Sequence, residues 1–111
     1  MDTQLNYPEI VKKILQEYAD LFSEGREHPL RTVFDDVRQS YLLLDFNWYG
    51  REYIHHTPIH IDIINGKIWI QYDDTEEGVA TDLLEAGVPA QDIVLGFRPA
   101  ELRPYTEFAV A

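Results

Sequence analysis

Apolar and polar residues alternate most regularly between Pro58 and Tyr72, in the run Ile59-His60-Ile61-Asp62-Ile63-Ile64-Asn65-Gly66-Lys67-Ile68-Trp69-Ile70-Gln71-Tyr72. Such alternation marks a half-buried strand. Asn-Gly between two such runs is the strongest short-range hairpin signal, because a type I′ turn needs positive φ at both central residues. Counting outward from Asn65-Gly66 pairs Ile63 with Ile68, Ile61 with Ile70 and Ile59 with Tyr72 on one side of the ribbon. The other side then carries His60 with Gln71, Asp62 with Trp69 and Ile64 with Lys67. A side that is almost wholly β-branched has to be covered by something apolar.

The same reading places the rest of the chain around that hairpin. Residues 7–22 carry apolar side chains at helical spacing, Ile10, Val11, Ile14, Leu15, Tyr18, Leu21 and Phe22. Asn6 or Tyr7 stands near the cap, Pro8 falls in the first turn, and Ser23-Glu24-Gly25 ends the helix. This helix is the natural cover for the isoleucines. Residues 31–36 read as a short edge strand. Residues 40–48 read as a stronger one, with Leu42, Leu44, Phe46 and Trp48 on one face and Tyr41, Leu43, Asp45 and Asn47 on the other. Tyr49-Gly50-Arg51 turns the chain into a strand over 52–56, which Thr57-Pro58 interrupts because proline lacks the ladder donor. A second helix is expected over 76–86, with Val79, Ala80, Leu83 and Leu84 as its apolar stripe, Gly87 at its end and Pro89 beyond. A short turn at 90–92, a buried segment at 93–95 and a tail punctuated by Arg98-Pro99 and Arg103-Pro104 complete the chain.

The expected fold is a single α+β domain over 1–111. It has an antiparallel sheet of about four to six strands around the Asn-Gly hairpin, packed by the N-terminal helix and the second helix. If one helix covers each face, Trp69 is core; the arrangement expected here puts both helices on the isoleucine side, so that Trp69, Asp62, His60 and Gln71 form an open patch suited to a homodimer or a partner.

Charge narrows the partners. Nine basic against 20 acidic residues give a net charge of −11, and the arginines are scattered. Phosphate backbones are bound through basic patches, so direct nucleic-acid binding is not expected and a basic protein surface is the more natural target. The chain has no cysteine, which removes disulfides, thiol nucleophiles and cysteine-based zinc sites. Met1-Asp2-Thr3-Gln4-Leu5 lacks the basic and apolar regions of a signal peptide, and no run reaches the length of a membrane span. A cytoplasmic protein with no membrane contact is expected.

Candidate chemistry is sparse. The acidic run Asp73 to Glu77 lacks calcium-loop spacing. Asp74 or Thr75 suits a helix N-cap there, with Glu76 and Glu77 at the positive end of the dipole. His55, His56 and His60 with Asp62 are the one group resembling metal ligands or acid–base residues. His56, His60 and Asp62 share a face only if Pro58 leaves the alternation intact. His28-Pro29-Leu30-Arg31 matches a His-x-x-Arg recombinase element by coincidence, in a chain too short and acidic for DNA-clamping machinery. Ser23 and Ser40 are the only serines, and no phosphate loop, nucleophile elbow or His-Glu-x-x-His motif occurs. No catalytic residue and no cofactor is assigned.

Three stretches together carry a family resemblance: residues 60–78, residues 87–97 and the ending Arg103-Pro104-Tyr105-Thr106-Glu107-Phe108-Ala109-Val110. With the opening helix they resemble the XisI family, the fdxN-element excision controlling factors, over nearly the whole chain. The family's namesake acts with a companion called XisH and a separate recombinase in programmed excision of a DNA element in cyanobacteria. The resemblance implies a non-catalytic regulatory accessory factor that binds a XisH-like partner, itself of nuclease-type fold. The competing reading from the residues is a small metal-dependent enzyme using His56, His60 and Asp62 together with Asp73.

Overall fold

Six strands form one mixed sheet with two helices packed on a single face of it. The computed structural model describes residues 5–75 and 78–111. In chain order these are α1 (Tyr7–Ser23), β1 (Arg31–Asp35), β2 (Ser40–Tyr49), β3 (Glu52–His56), β4 (Ile59–Ile64), β5 (Lys67–Asp73), α2 (Val79–Glu85) and β6 (Ile93–Leu95). Short 3-10 turns at Ala90–Asp92 and Ala100–Tyr105 flank the last strand. The sheet runs β1-β2-β4-β5-β6, with β3 also paired to β2. All pairings are antiparallel except β5 with β6. The expected all-antiparallel sheet is therefore mixed at one edge. α2 supplies the crossover that a parallel neighbour requires.

Asn6 caps α1, its side chain accepting the Glu9 amide at 3.1 Å. The helix buries Val11, Ile14, Leu15 and Ala19 against β1, β2 and β4, while α2 adds Val79 and Leu83 over β5. Beneath them lie Tyr41 and Leu43 of β2, the isoleucines 59, 61 and 63 of β4, and Ile68 and Ile70 of β5. Both helices thus cover the isoleucine face, and the opposite face receives neither.

Two irregularities set which side chains reach which face. Asn65 (φ 52°) and Gly66 (φ 77°) both take positive φ between β4 and β5, and four of the six expected cross-strand pairs form. The outer two shift. A bulge between His60 and Ile61 pairs His60 with Tyr72 and Ile59 with Asp73, leaving Gln71 as the extra residue. The bulge moves Tyr72 off the core side and brings Asp73 onto it. Asp73 then accepts the Val79 amide at 2.7 Å, the Thr75 amide at 2.9 Å and the Thr75 hydroxyl at 2.6 Å. The expected cap at Asp74 or Thr75 is replaced by this carboxylate: α2 starts at Val79 after Gly78, and Asp73 reaches forward to its first amide. The expected placements of Glu76 and Glu77 lie outside the described residues.

The second irregularity is Thr57-Pro58. β3 and β4 lie end to end along one edge of β2, with Asp45 opposite His56 but Leu42 opposite His60. One extra residue falls in the junction, so side-chain parity reverses across it. Beyond Leu44, β2 loses β1 as a neighbour and continues with β3 alone as a two-stranded arm. The arm turns at Gly50, whose φ of 67° suits the first central position of a type II′ hairpin. The radius of gyration is 14.9 Å, against roughly 13 Å for a compact chain of this length. No described helix is long and apolar enough to cross a membrane.

Candidate functional site

The sheet face away from the helices carries a polar cluster where β2, β4 and β5 meet. Ser40 pairs with Asp62 across the β2–β4 ladder, and its hydroxyl donates to Asp62 Oδ1 at 2.6 Å. His60 Nε2 stands 3.0 Å from the same oxygen and 3.3 Å from Ser40 Oγ. Gln71, displaced by the bulge, donates its amide to Asp62 Oδ2 at 3.2 Å. Three of the four residues expected on this patch therefore converge on one carboxylate. Ser40 joins them without any signal in the linear sequence, because its place follows from the long-range β2–β4 register.

The geometry of this cluster differs from that of a serine relay. A serine relay needs the hydroxyl on one imidazole nitrogen and the acid on the other. Here Ser40 and Asp62 both face His60 Nε2, and the Ser40 proton is committed to Asp62. His56 does not contribute. The reversed parity puts it on the helix side of the sheet, where its Nε2 lies 3.3 Å from Asp74 Oδ2. The trio His56, His60 and Asp62 is therefore split between two faces. Asp73 is occupied at the start of α2, and no group of three or more metal-type ligands gathers among the described residues.

Trp69, the fourth residue of the expected patch, is half-buried. After β6 the chain folds back: the Gly96 amide donates to the Ile70 carbonyl at 2.9 Å, and Ala109 bridges to Val94 along the outer edge of the sheet. The Arg103 guanidinium then lies 5.1 Å from the Trp69 ring centroid. A Cβ on Gly96 would stand 2.6 Å from Gln71 Oε1, 3.1 Å from Trp69 Cε3 and 3.2 Å from the Ile70 oxygen. The Gln71 amide can swing aside, but the ring and the carbonyl are held in the fold. Gly96→Ala is expected to cost about 1–3 kcal/mol in urea unfolding. A neutral substitution would show that the tail does not press on the sheet here.

On the opposite side of the molecule α1 and α2 enclose an open groove of about 760 Å³. Its floor is apolar, with Ile10, Ile14, Leu21 and Leu5, and Leu21 is 58% exposed. Glu9, Glu17, Asp82 and Glu85 stand around it against the single cation Lys13. Tyr18 crosses between the helices and donates its hydroxyl to Asp82, and Tyr7 does the same to Asp92 at 2.5 Å. Burial, then the Asp92 hydrogen bond, pushes the Tyr7 phenol up to about 12. Burial, then Asp82, raises Tyr18 further.

The XisI protein family model matches residues 1–110. The chain belongs to the XisI family. Two solved relatives from Anabaena variabilis ATCC 29413 agree over the whole architecture. The fdxN element excision controlling factor XisI is 36% identical with a TM-score of 0.83. A XisI-like protein is 37% identical with a TM-score of 0.88. Each comparison covers 95% of this chain and 96% of the other. No curated protein matches the chain. In this XisI-family member the interhelical groove and the sheet face away from the helices lie on opposite sides of the molecule. The polar cluster links β2, β4 and β5 through the Asp62 carboxylate.

Proposed function

We propose that this XisI-family chain is a non-catalytic regulatory factor that controls programmed excision of a DNA element by binding a XisH-like protein partner. The observation that carries the binding mode is the acidic rim around the apolar interhelical groove. Four carboxylates and one lysine border a floor that presents Leu21 to solvent. Such a groove suits an amphipathic segment with basic flanks, its apolar side on the floor and its cations on the rim. Similarity to an fdxN element excision controlling factor supplies the process, and the net charge of −11 favours a protein partner over DNA. The metal-enzyme alternative draws no support from the placement of its residues, since His56 faces away from His60 and Asp62.

Co-expression with the XisH-like protein of the same genome, followed by affinity purification and light scattering, tests this. A stable complex is expected, weakened at least about tenfold by Leu21→Arg and by raised salt. Absence of a complex sinks the accessory reading. A complex indifferent to Leu21→Arg moves the partner to another surface.

A further inference from the structure

β2 reads Tyr41-Leu42-Leu43-Leu44-Asp45-Phe46-Asn47-Trp48, apolar on both faces through most of its length. Strands of that kind are normally covered on both sides. In this chain Tyr41 and Leu43 lie wholly under α1, but nothing comparable covers Leu42 and Leu44, which stay half-buried. The tail lies at the far edge of the sheet, where Arg103 stacks on Trp69, Ala109 bridges to Val94 and the Ala111 oxygen accepts from Lys67. Val33 is 39% exposed beside Leu42, and on the arm Trp48 and Tyr53 are 62% and 49% exposed, their rings 5.1 Å apart. Phe46, with Arg31 stacked 4.9 Å from its centroid, connects the aliphatic strip to the aromatic arm. A continuous apolar surface of this sort marks an interface.

We propose that this open face is a homodimer interface, the aromatic arm of one copy lying on the aliphatic strip of the other. Charge decides the occupant. By register and contact the open face carries Arg31, Arg38, Lys67 and Arg103 against Asp35 and Asp62. It therefore lacks the acidic excess of a chain of net charge −11, which lies elsewhere. Two such copies repel least when they meet here, whereas a basic partner is drawn to the acidic helix side. The face also holds two apolar parts able to meet: the exposed Trp48–Tyr53 pair of the arm and the strip from Val33 to Leu44. A two-fold axis lays each arm on the other copy's strip, as an isologous contact demands. This inference is independent of the XisH-like partner, which is assigned to the opposite surface.

Sedimentation velocity and light scattering, from about 1 to 100 µM chain, test it. The expected mass is twice that of the 13.0 kDa chain. The double variant Trp48→Ala/Tyr53→Ala and the separate variant Leu44→Arg should each raise the dimer dissociation constant at least about tenfold with unchanged far-UV circular dichroism. Leu84→Arg, on α2 in the helix layer, should remain dimeric. Hydrogen exchange on the unmodified chain provides a check that needs no variant: amides of Asp45 to Tyr49 should exchange more slowly as concentration rises. A monomer throughout, a dimer that survives both open-face changes, or a dimer lost only in Leu84→Arg overturns the proposal. So does arm exchange that does not respond to concentration.

Discussion

Raising the pH from 10 to 12 is expected to unfold this protein, because phenols in its core hold their protons longer in the folded chain than in the unfolded one. Tyr41 is fully buried between the sheet and α1, and its hydroxyl donates to Asp36 at 2.8 Å. Burial is the larger cause and the Asp36 bond the second; together they push its pKa from 10.0 up to about 12. Tyr7 is raised to about the same value, and Tyr18 is raised as well. For a group whose folded pKa is raised, the stabilisation is complete below the unfolded value near 10. It drains away as pH climbs to the folded value, because the unfolded chain ionises first. Two pH units correspond to roughly 2–3 kcal/mol for Tyr41 alone. That is a large share of the about 5–15 kcal/mol that holds a domain of this size together.

Ultraviolet absorbance of tyrosinate, followed alongside far-UV circular dichroism, checks this. Part of the titration of the seven tyrosines should lag and then coincide with loss of structure. Tyr41→Phe should remove a share of the lag. A single ionisation step completed while the chain stays folded would contradict the burial of these hydroxyls.

The alternation of β4 and β5 made the hairpin legible because Asn65 and Gly66 fix the turn, and a fixed turn fixes the nearest pairs. That control ends at Ile61 with Ile70. The bulge that follows has no turn residue to announce it, and its reason is tertiary: it delivers Asp73 to the first amide of α2. Pro58 did announce a break between β3 and β4, yet which way parity would fall depended on how many residues the junction absorbed. That single residue separates His56 from His60 and dissolves the metal trio. Both helices fall on the isoleucine side because β4 and β5 alternate and offer them only one apolar face. The patch around Trp69 was visible as a cluster of neighbours, but Arg103 and Ser40 were not. Each arrives from more than 20 positions away through backbone pairing that no local pattern encodes. The parallel edge followed the same rule: Ile93-Val94-Leu95 reads as buried, and only the crossover through α2 gives its direction.

Two adjacent leucines of β2 should respond very differently to the same truncation. Leu43 is fully buried under α1 with Leu15, Ile61 and Tyr41 in one cluster, so Leu43→Ala should cost about 2–5 kcal/mol through lost transfer energy and the cavity left behind. Leu42 points to the open face and is only half-buried. In solution dilute enough to keep copies apart, Leu42→Ala should cost less than about 1 kcal/mol. Residue type and strand position are matched, so β-propensity cancels and burial alone separates the pair. Urea unfolding of both variants, measured at low and high protein concentration, makes the comparison. If the open face closes on a second copy, Leu42→Ala should become more costly as concentration rises, while Leu43→Ala stays severe throughout. Equal losses for the two variants in dilute solution would mean that β2 is already covered on both sides within one chain. The reading of its outer face as a surface awaiting an occupant would then fail.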